Sequence, residues 1–237
     1  GILGVGILMG GAWAYEALSF GGFWAWDPVE NTSLVPWLTM VAGAHLLLIQ
    51  RNKGGVIPAA LFLLILTFLL VLYSTFLTRS GVLGDSSVHA FVDLGLSGQL
   101  LIYLLFFTIG SITLFLARYK GLPNKVKDDR MDSREFWMFI GALVLLTSGL
   151  QITLSTSYPV FNTLFGPDGL IPIYDQDKVL IYPIEHYNAI QVPFAIIIVL
   201  LIGAGQFLSY HRTTTAQFFK RQILTLILTT VFAGMSS

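Results

Sequence analysis

The chain has 237 residues, of which 55% are hydrophobic and 11% charged, with 13 basic side chains balancing 13 acidic ones and no cysteine; a soluble domain carries about 25% charged residues. With a mean hydropathy of +0.76, that balance makes lipid the solvent, while the missing thiols exclude disulfides, thiolate metal sites and a cysteine nucleophile, and a net charge of zero gives no field to attract nucleic acid. At roughly 20 apolar residues per crossing the length accommodates about seven spans, so the expected fold is an all-α, polytopic transmembrane helix bundle forming one domain over 1–237.

The first apolar run, 1–15, has neither the basic leader nor the small-residue cleavage site of a signal peptide and reads as a truncated span. An aromatic loop, 19–35, follows it. Four of the five tryptophans lie between Trp13 and Trp37, and the densest stretch is Gly21-Gly22-Phe23-Trp24-Ala25-Trp26-Asp27-Pro28-Val29-Glu30-Asn31. Tryptophans at a membrane boundary form an interfacial belt. Trp24 and Trp26, two apart, share a face if the backbone is extended, and Gly21-Gly22 permits another surface to approach closely, so the loop also suits a flat apolar ligand. Asp27, Pro28 and Glu30 form a helix-start pattern of N-cap, first-turn proline and capping box; the carboxylates are open to that role or to ligand contact. The short helix they start is expected to break near Pro36.

The second apolar run, 34–50, carries His45 roughly 13 Å along a helix from Pro36, beside Gly43 and Ala44. An ionisable residue at that depth is costly unless paired, which makes it a functional candidate; a bond to a neighbouring helix is the structural alternative. After the third run, 56–77, an outer connection, 78–98, holds Arg79 and His89. A guanidinium at the membrane edge can grip a carboxylate bidentately or snorkel to headgroups, and His89 sits at the level of the aromatic loop as a candidate ligand or a solvated loop residue.

Further runs fall at 99–117, 136–156, 193–209 and 222–237, the last again too short to look complete, and a third outer connection covers 157–192. There His186 is expected to bond Glu185 or a headgroup, and His211 to be solvated on the opposite side. Eleven of the 13 lysines and arginines fall in alternate connections: Arg51 and Lys53, six between Arg118 and Arg134, then Arg212, Lys220 and Arg221. The positive-inside rule puts those in the cytoplasm and the aromatic loop outside.

The segment from Gly21 to Asn31, followed by Pro36-Trp37 and His45, resembles the tryptophan-rich WWD signature of the haem-handling membrane proteins of cytochrome c maturation. Thr75-Phe76-Leu77-Thr78-Arg79-Ser80-Gly81-Val82-Leu83 and Ser87-Val88-His89-Ala90-Phe91 look like the CcmF-type haem lyase subunit within that group. The resemblance is strong over 13–91 and continues weakly through Tyr187-Asn188-Ala189 to Pro193. It departs in a two-residue expansion at Gly84-Asp85-Ser86 and in carrying His186 where an aromatic residue is usual.

The resemblance implies that Gly22, Phe23, Trp24, Trp26, Asp27, Trp37 and Arg79 contact a haem b on the outer face and that His89 ligates its iron, paired with a histidine preceding Gly1. It implies a second, transmembrane haem b with His45 as one axial ligand and a partner past Ser237, in a fragment lacking both ends. The implied reaction is thioether attachment of haem to the CXXCH motif of an apocytochrome c, the implied partners are further maturation subunits or a haem chaperone, and the implied site is the bacterial inner membrane. Two other readings of the residues are a transporter or channel built around His45 and a structural subunit that docks a partner through its aromatic loop.

Overall fold

In the computed structural model the described residues are 1–17, 22–83, 87, 95–123, 131–165, 183–210 and 212–236. They form eight helices: α1 (Ile2–Ala17), α2 (Pro28–Asn52), α3 (Ile57–Arg79), α4 (Ser97–Tyr119), α5 (Arg134–Thr156), α6 (Tyr158–Phe165), α7 (Pro183–Gly205) and α8 (Thr215–Ser236). Among the described residues there is no strand, as a lipid solvent demands of an open chain whose backbone groups must be satisfied within each segment. Five helices, α2, α3, α4, α5 and α7, are long and apolar enough to cross a membrane.

The seven apolar runs all fall on helices, but three helices start well before their runs, α8 among them at Thr215. Helix α7 begins at Pro183 and carries Pro193 in its interior; with α6, it claims much of the connection expected over 157–192. Helix α2 begins at Pro28 and continues through Pro36 to Asn52, so the expected break at Pro36 does not occur. The reason lies in a neighbouring helix. A proline cannot donate to the carbonyl four residues back, and here the Ser74 hydroxyl of α3 donates to that carbonyl, Thr32.

Helix α2 is the hub, packing against α3 and α5; α4 leans on α3, α7 on α5, and α1 on α2. Its buried apolar residues Val35, Leu38, Ala42, Leu46 and Ile49 recur every three or four positions, the stripe a helix needs to face neighbours. They join Ala60, Leu63, Ala142, Leu145, Ile152 and Tyr187 in one core. Small residues let the backbones approach, as in other membrane bundles: a Cβ added at Gly149 of α5 would sit 3.8 Å from Leu38 and Val35. Helix α4 has no buried residue, which in lipid is a solvated state.

Polar side chains add interhelical bonds. Thr67 donates to Thr39 at 2.9 Å, joining α3 to α2. Tyr73 of α3 donates to Ser157 at the end of α5 at 2.7 Å, and Ser148 of α5 donates to Gln191 of α7 at 2.6 Å. Bonds of this type contribute on the order of 1 kcal/mol each between membrane helices. The result gathers the N-termini of α2 and α7 and the C-termini of α3 and α5 at one end of the bundle, opposite the basic connections.

Candidate functional site

That end carries the tryptophan loop. Its geometry begins with local chemistry: Asp27 caps α2, accepting from Val29 N at 2.9 Å, while Glu30 Oε2 accepts from the backbone N–H groups of Asp27 at 3.1 Å and Ala25 at 3.0 Å. The capping box expected from the sequence is therefore present. Ser87 donates to Asp27 Oδ1 at 2.8 Å, so one carboxylate fixes both the helix start and a point in the connection that carries His89. His89 itself lies outside the described residues, as do Gly21, Gly84-Asp85-Ser86 and His211.

The two indoles do not form the flat shelf that an extended backbone would give. Trp26 has a φ of +57°, left-handed backbone that is unfavourable for a bulky side chain, and its ring meets Trp24 edge-to-face, with centroids 5.8 Å apart and planes at 90°. Perpendicular rings cannot both lie against one plane. What holds Trp26 there is a set of partners far away in sequence. Its ring stacks on Tyr187 of α7, centroids 5.1 Å apart and 14° from parallel, and its Nε1 donates to Asn188 Oδ1 at 2.8 Å. Its carbonyl accepts from Asn31 Nδ2 at 3.0 Å, and Asn31 also donates to Thr156 Oγ1 of α5 at 3.2 Å. Thr156 in turn bonds the Tyr187 hydroxyl at 3.0 Å, closing a ring of contacts around the loop.

Trp24 is different. Its Nε1 is buried and has no hydrogen-bond partner among the described residues, and a buried orphan donor costs about 1–3 kcal/mol. The loop is thus built around one satisfied indole and one unsatisfied one.

Phe23 and Trp37 face α1. A Cβ added at Gly11 would lie 2.8 Å from the Phe23 ring and 2.9 Å from its carbonyl oxygen, and one at Gly4 would lie 2.6 Å from Trp37 Nε1. Glycines seven apart put both contacts on one helix face. Gly22 has a φ of +62°, a turn conformation that suits glycine, with open space where a side chain would be. Arg79 is the last residue of α3 and is exposed at the same end of the bundle.

His45 belongs elsewhere. Because α2 starts at Pro28, His45 is roughly 25 Å along the helix from the loop, towards the basic end and far beyond the 13 Å measured from Pro36. Its Nδ1 lies 2.8 Å from the Val41 carbonyl one turn back, a bond only the Nδ1–H tautomer makes; Nε2 is then the unprotonated nitrogen of the neutral ring. No partner for Nε2 occurs among the described residues. Gly43, expected to let a cofactor or a helix approach, receives the helix α3: its added Cβ would lie 3.3 Å from Leu64.

His186, expected to bond Glu185 or a headgroup, has its Nε2 3.1 Å from Ser155 Oγ of α5. Sequence reasoning missed Asn31, Thr156, Tyr187 and Asn188 as parts of the site. The one available signal was the weak continuation of the family resemblance through Tyr187-Asn188-Ala189.

Comparison with known proteins places this geometry. The family described as Cytochrome C assembly protein matches residues 2–83. The chain is 32% identical over 228 residues to the cytochrome c-type biogenesis protein ccl1 of Rhodobacter capsulatus, covering 96% of this chain and 33% of that protein. It is 35% identical over 215 residues to CcmF of Haemophilus influenzae (89% and 31% covered), and 34% identical over 235 residues to CcmF of Escherichia coli (98% and 34% covered). A solved structure, Cytochrome c Heme Lyase CcmF, superposes with a TM-score of 0.64 at 28% identity, covering 97% of this chain and 32% of that one. The chain thus spans about a third of the length of the curated relatives it matches. With a tryptophan loop capped by Asp27 and Glu30 on a hub helix of this register, the chain belongs to the cytochrome c assembly family, in its CcmF-type branch.

Proposed function

We propose that this chain is the haem-presenting part of a cytochrome c haem lyase. Haem is the substrate, held at the aromatic end by Trp24, Trp26, Phe23, Trp37 and Gly22, with Asp27 fixing the loop, His89 ligating the iron and Arg79 facing a propionate. The observation that carries this reading is the matched tryptophan loop with an indole N–H, Trp24 Nε1, buried without an acceptor among the described residues. A propionate or a water arriving with the substrate supplies that acceptor, so the residues fit the group.

In the reaction, each of two cysteine S–H groups of an exported CXXCH apocytochrome adds across a haem vinyl double bond, forming a C–S and a C–H bond with no net loss of atoms or electrons. The chain's part is positioning, which brings reacting groups to near-attack distance. The same reading makes further maturation subunits or a haem chaperone its partners and the bacterial inner membrane its site, with the loop on the outer face. A second haem b, when bound within the membrane, supplies one-electron transfer. Towards it this chain offers His45, whose Nδ1 is fixed by the Val41 carbonyl so that Nε2 is held in the ligating tautomer, the arrangement common to histidine ligands.

The test uses full-length protein purified from membranes. It should carry haem, and His89→Ala should lower both the haem absorbance and the yield of mature cytochrome c with helix content unchanged. His45→Ala should remove a low-spin b-type spectrum. Protein without haem, or variants with unchanged spectra and yield, would refute the reading in favour of a transporter or a docking subunit.

A further inference from the structure

The basic end of the bundle holds a second concavity, unrelated to the tryptophan loop. It is a groove of about 300 Å³, the low end of the range for ligand sites. Trp137 of α5, Ile197, Leu201 and Ala204 of α7, Leu208 of the turn that follows and Phe218 of α8 are among its walls. The lining is apolar, and Ile197 to Gly205 is roughly 12 Å of helix, so the trough runs from the bundle end towards the bilayer centre.

Its mouth is built and is cationic. The segment before α5 and the turn between α7 and α8 are stitched together: Arg134 N donates to the Ser209 carbonyl at 3.0 Å and Thr213 N to the Asp132 carbonyl at 2.9 Å, while Ser209 N donates to Thr213 Oγ1 at 2.8 Å. Two guanidiniums flank this turn. Arg221, rooted one turn deeper on α8, reaches back so that Nη1 donates to the Phe207 carbonyl at 3.1 Å and to Ser209 Oγ at 3.0 Å, on either side of the groove residue Leu208. Arg134 lies over the Tyr210 ring at 5.2 Å, three residues and so one helical turn from the groove residue Trp137. Each cation thus sits one turn from an aromatic that lines the trough. Asp132 lies 3.8 Å from Arg212 and Glu135 is buried beside Arg134 in the first turn of α5; Arg134 and Arg221 have no carboxylate partner among the described residues.

We propose that this groove is a binding site for a membrane phospholipid, one acyl chain lying in the trough and the phosphate gripped between Arg134 and Arg221. Charge complementarity selects the occupant: a guanidinium presents a planar fork that matches phosphate oxygens, and basic pockets between transmembrane helices favour anionic headgroups. A transmembrane helix would fill the trough as well but would leave the two cations at its mouth unanswered. Detergent would do the same.

The experiment uses full-length protein in nanodiscs of phosphatidylcholine doped with phosphatidylglycerol brominated on its acyl chains, a quencher of nearby indoles. The fluorescence of Trp137 is isolated by subtracting the Trp137→Phe variant. Brominated phosphatidylglycerol should quench Trp137 at a several-fold lower mole fraction than brominated phosphatidylcholine does. That preference should vanish in Arg134→Gln/Arg221→Gln, and Ala204→Phe, which fills the trough, should abolish quenching by both lipids. Equal quenching by the two lipids in the native sequence would overturn the headgroup assignment. No quenching by either would mean that a protein segment fills the groove, and would overturn the proposal entirely.

Discussion

Tyr187 does two separable jobs: its ring supports the Trp26 indole and its hydroxyl meets Thr156. Tyr187→Phe keeps the stack and loses one hydrogen bond, so it should lower stability by about 1 kcal/mol with haem content unchanged. Tyr187→Ala removes a stack of about 0.5–1.5 kcal/mol beyond its burial and releases Trp26 from its left-handed backbone, so haem retention should fall as well. Thermal unfolding in detergent and the haem-to-protein absorbance ratio separate the two. The residues here divide by how far their causes reach. Asp27 and Glu30 could be read as a cap because the capping bonds themselves span no more than five positions. The support under Trp26 could not, because its partners are 162 residues away; nothing local distinguishes Tyr187 from any other interfacial tyrosine. The same remoteness explains why a shared face on extended backbone could be expected for Trp24 and Trp26.

Helices were legible wherever hydropathy decides them, since every apolar run became one. Their ends were not, because Pro36 stops a lone helix and not one whose neighbour answers the orphan carbonyl. This gives a double-mutant test. Ser74→Ala leaves the Thr32 carbonyl without its donor and should cost about 1–3 kcal/mol. In a Pro36→Ala background, where the chain regains its own N–H at that position, the loss from Ser74→Ala should shrink to less than half; equal losses in both backgrounds would refute the coupling. Helix α1 offers a second test. Gly11→Ala would force a Cβ against the Phe23 ring and carbonyl, and overpacking of this kind costs about 1–3 kcal/mol. Gly6→Ala, where the space is open, should be neutral or slightly stabilising, since alanine favours the helix. Melting temperatures of the two variants decide it.

At the scale of the whole molecule, the five described helices long and apolar enough to cross a membrane and a one-sided distribution of cations put the tryptophan loop and the basic connections at opposite ends of one bundle. The absence of native cysteine makes this simple to test with single introduced thiols and a membrane-impermeant maleimide on intact spheroplasts. Phe23→Cys should label directly; Lys53→Cys and Arg212→Cys should label only after permeabilisation. Labelling of all three from outside would refute the orientation. Order of synthesis adds a consequence. Trp26 leaves the ribosome 162 residues ahead of Asn188, the acceptor of its indole N–H; at about 5–20 residues per second, that is an interval of roughly 8–32 s. Until α7 threads into the bilayer, the aromatic segment has no seat, so under the proposed function a nascent chain should be a poor trap for free porphyrin and become competent only when its later helices have arrived. Timing of this kind would keep a reactive pigment off a half-built protein.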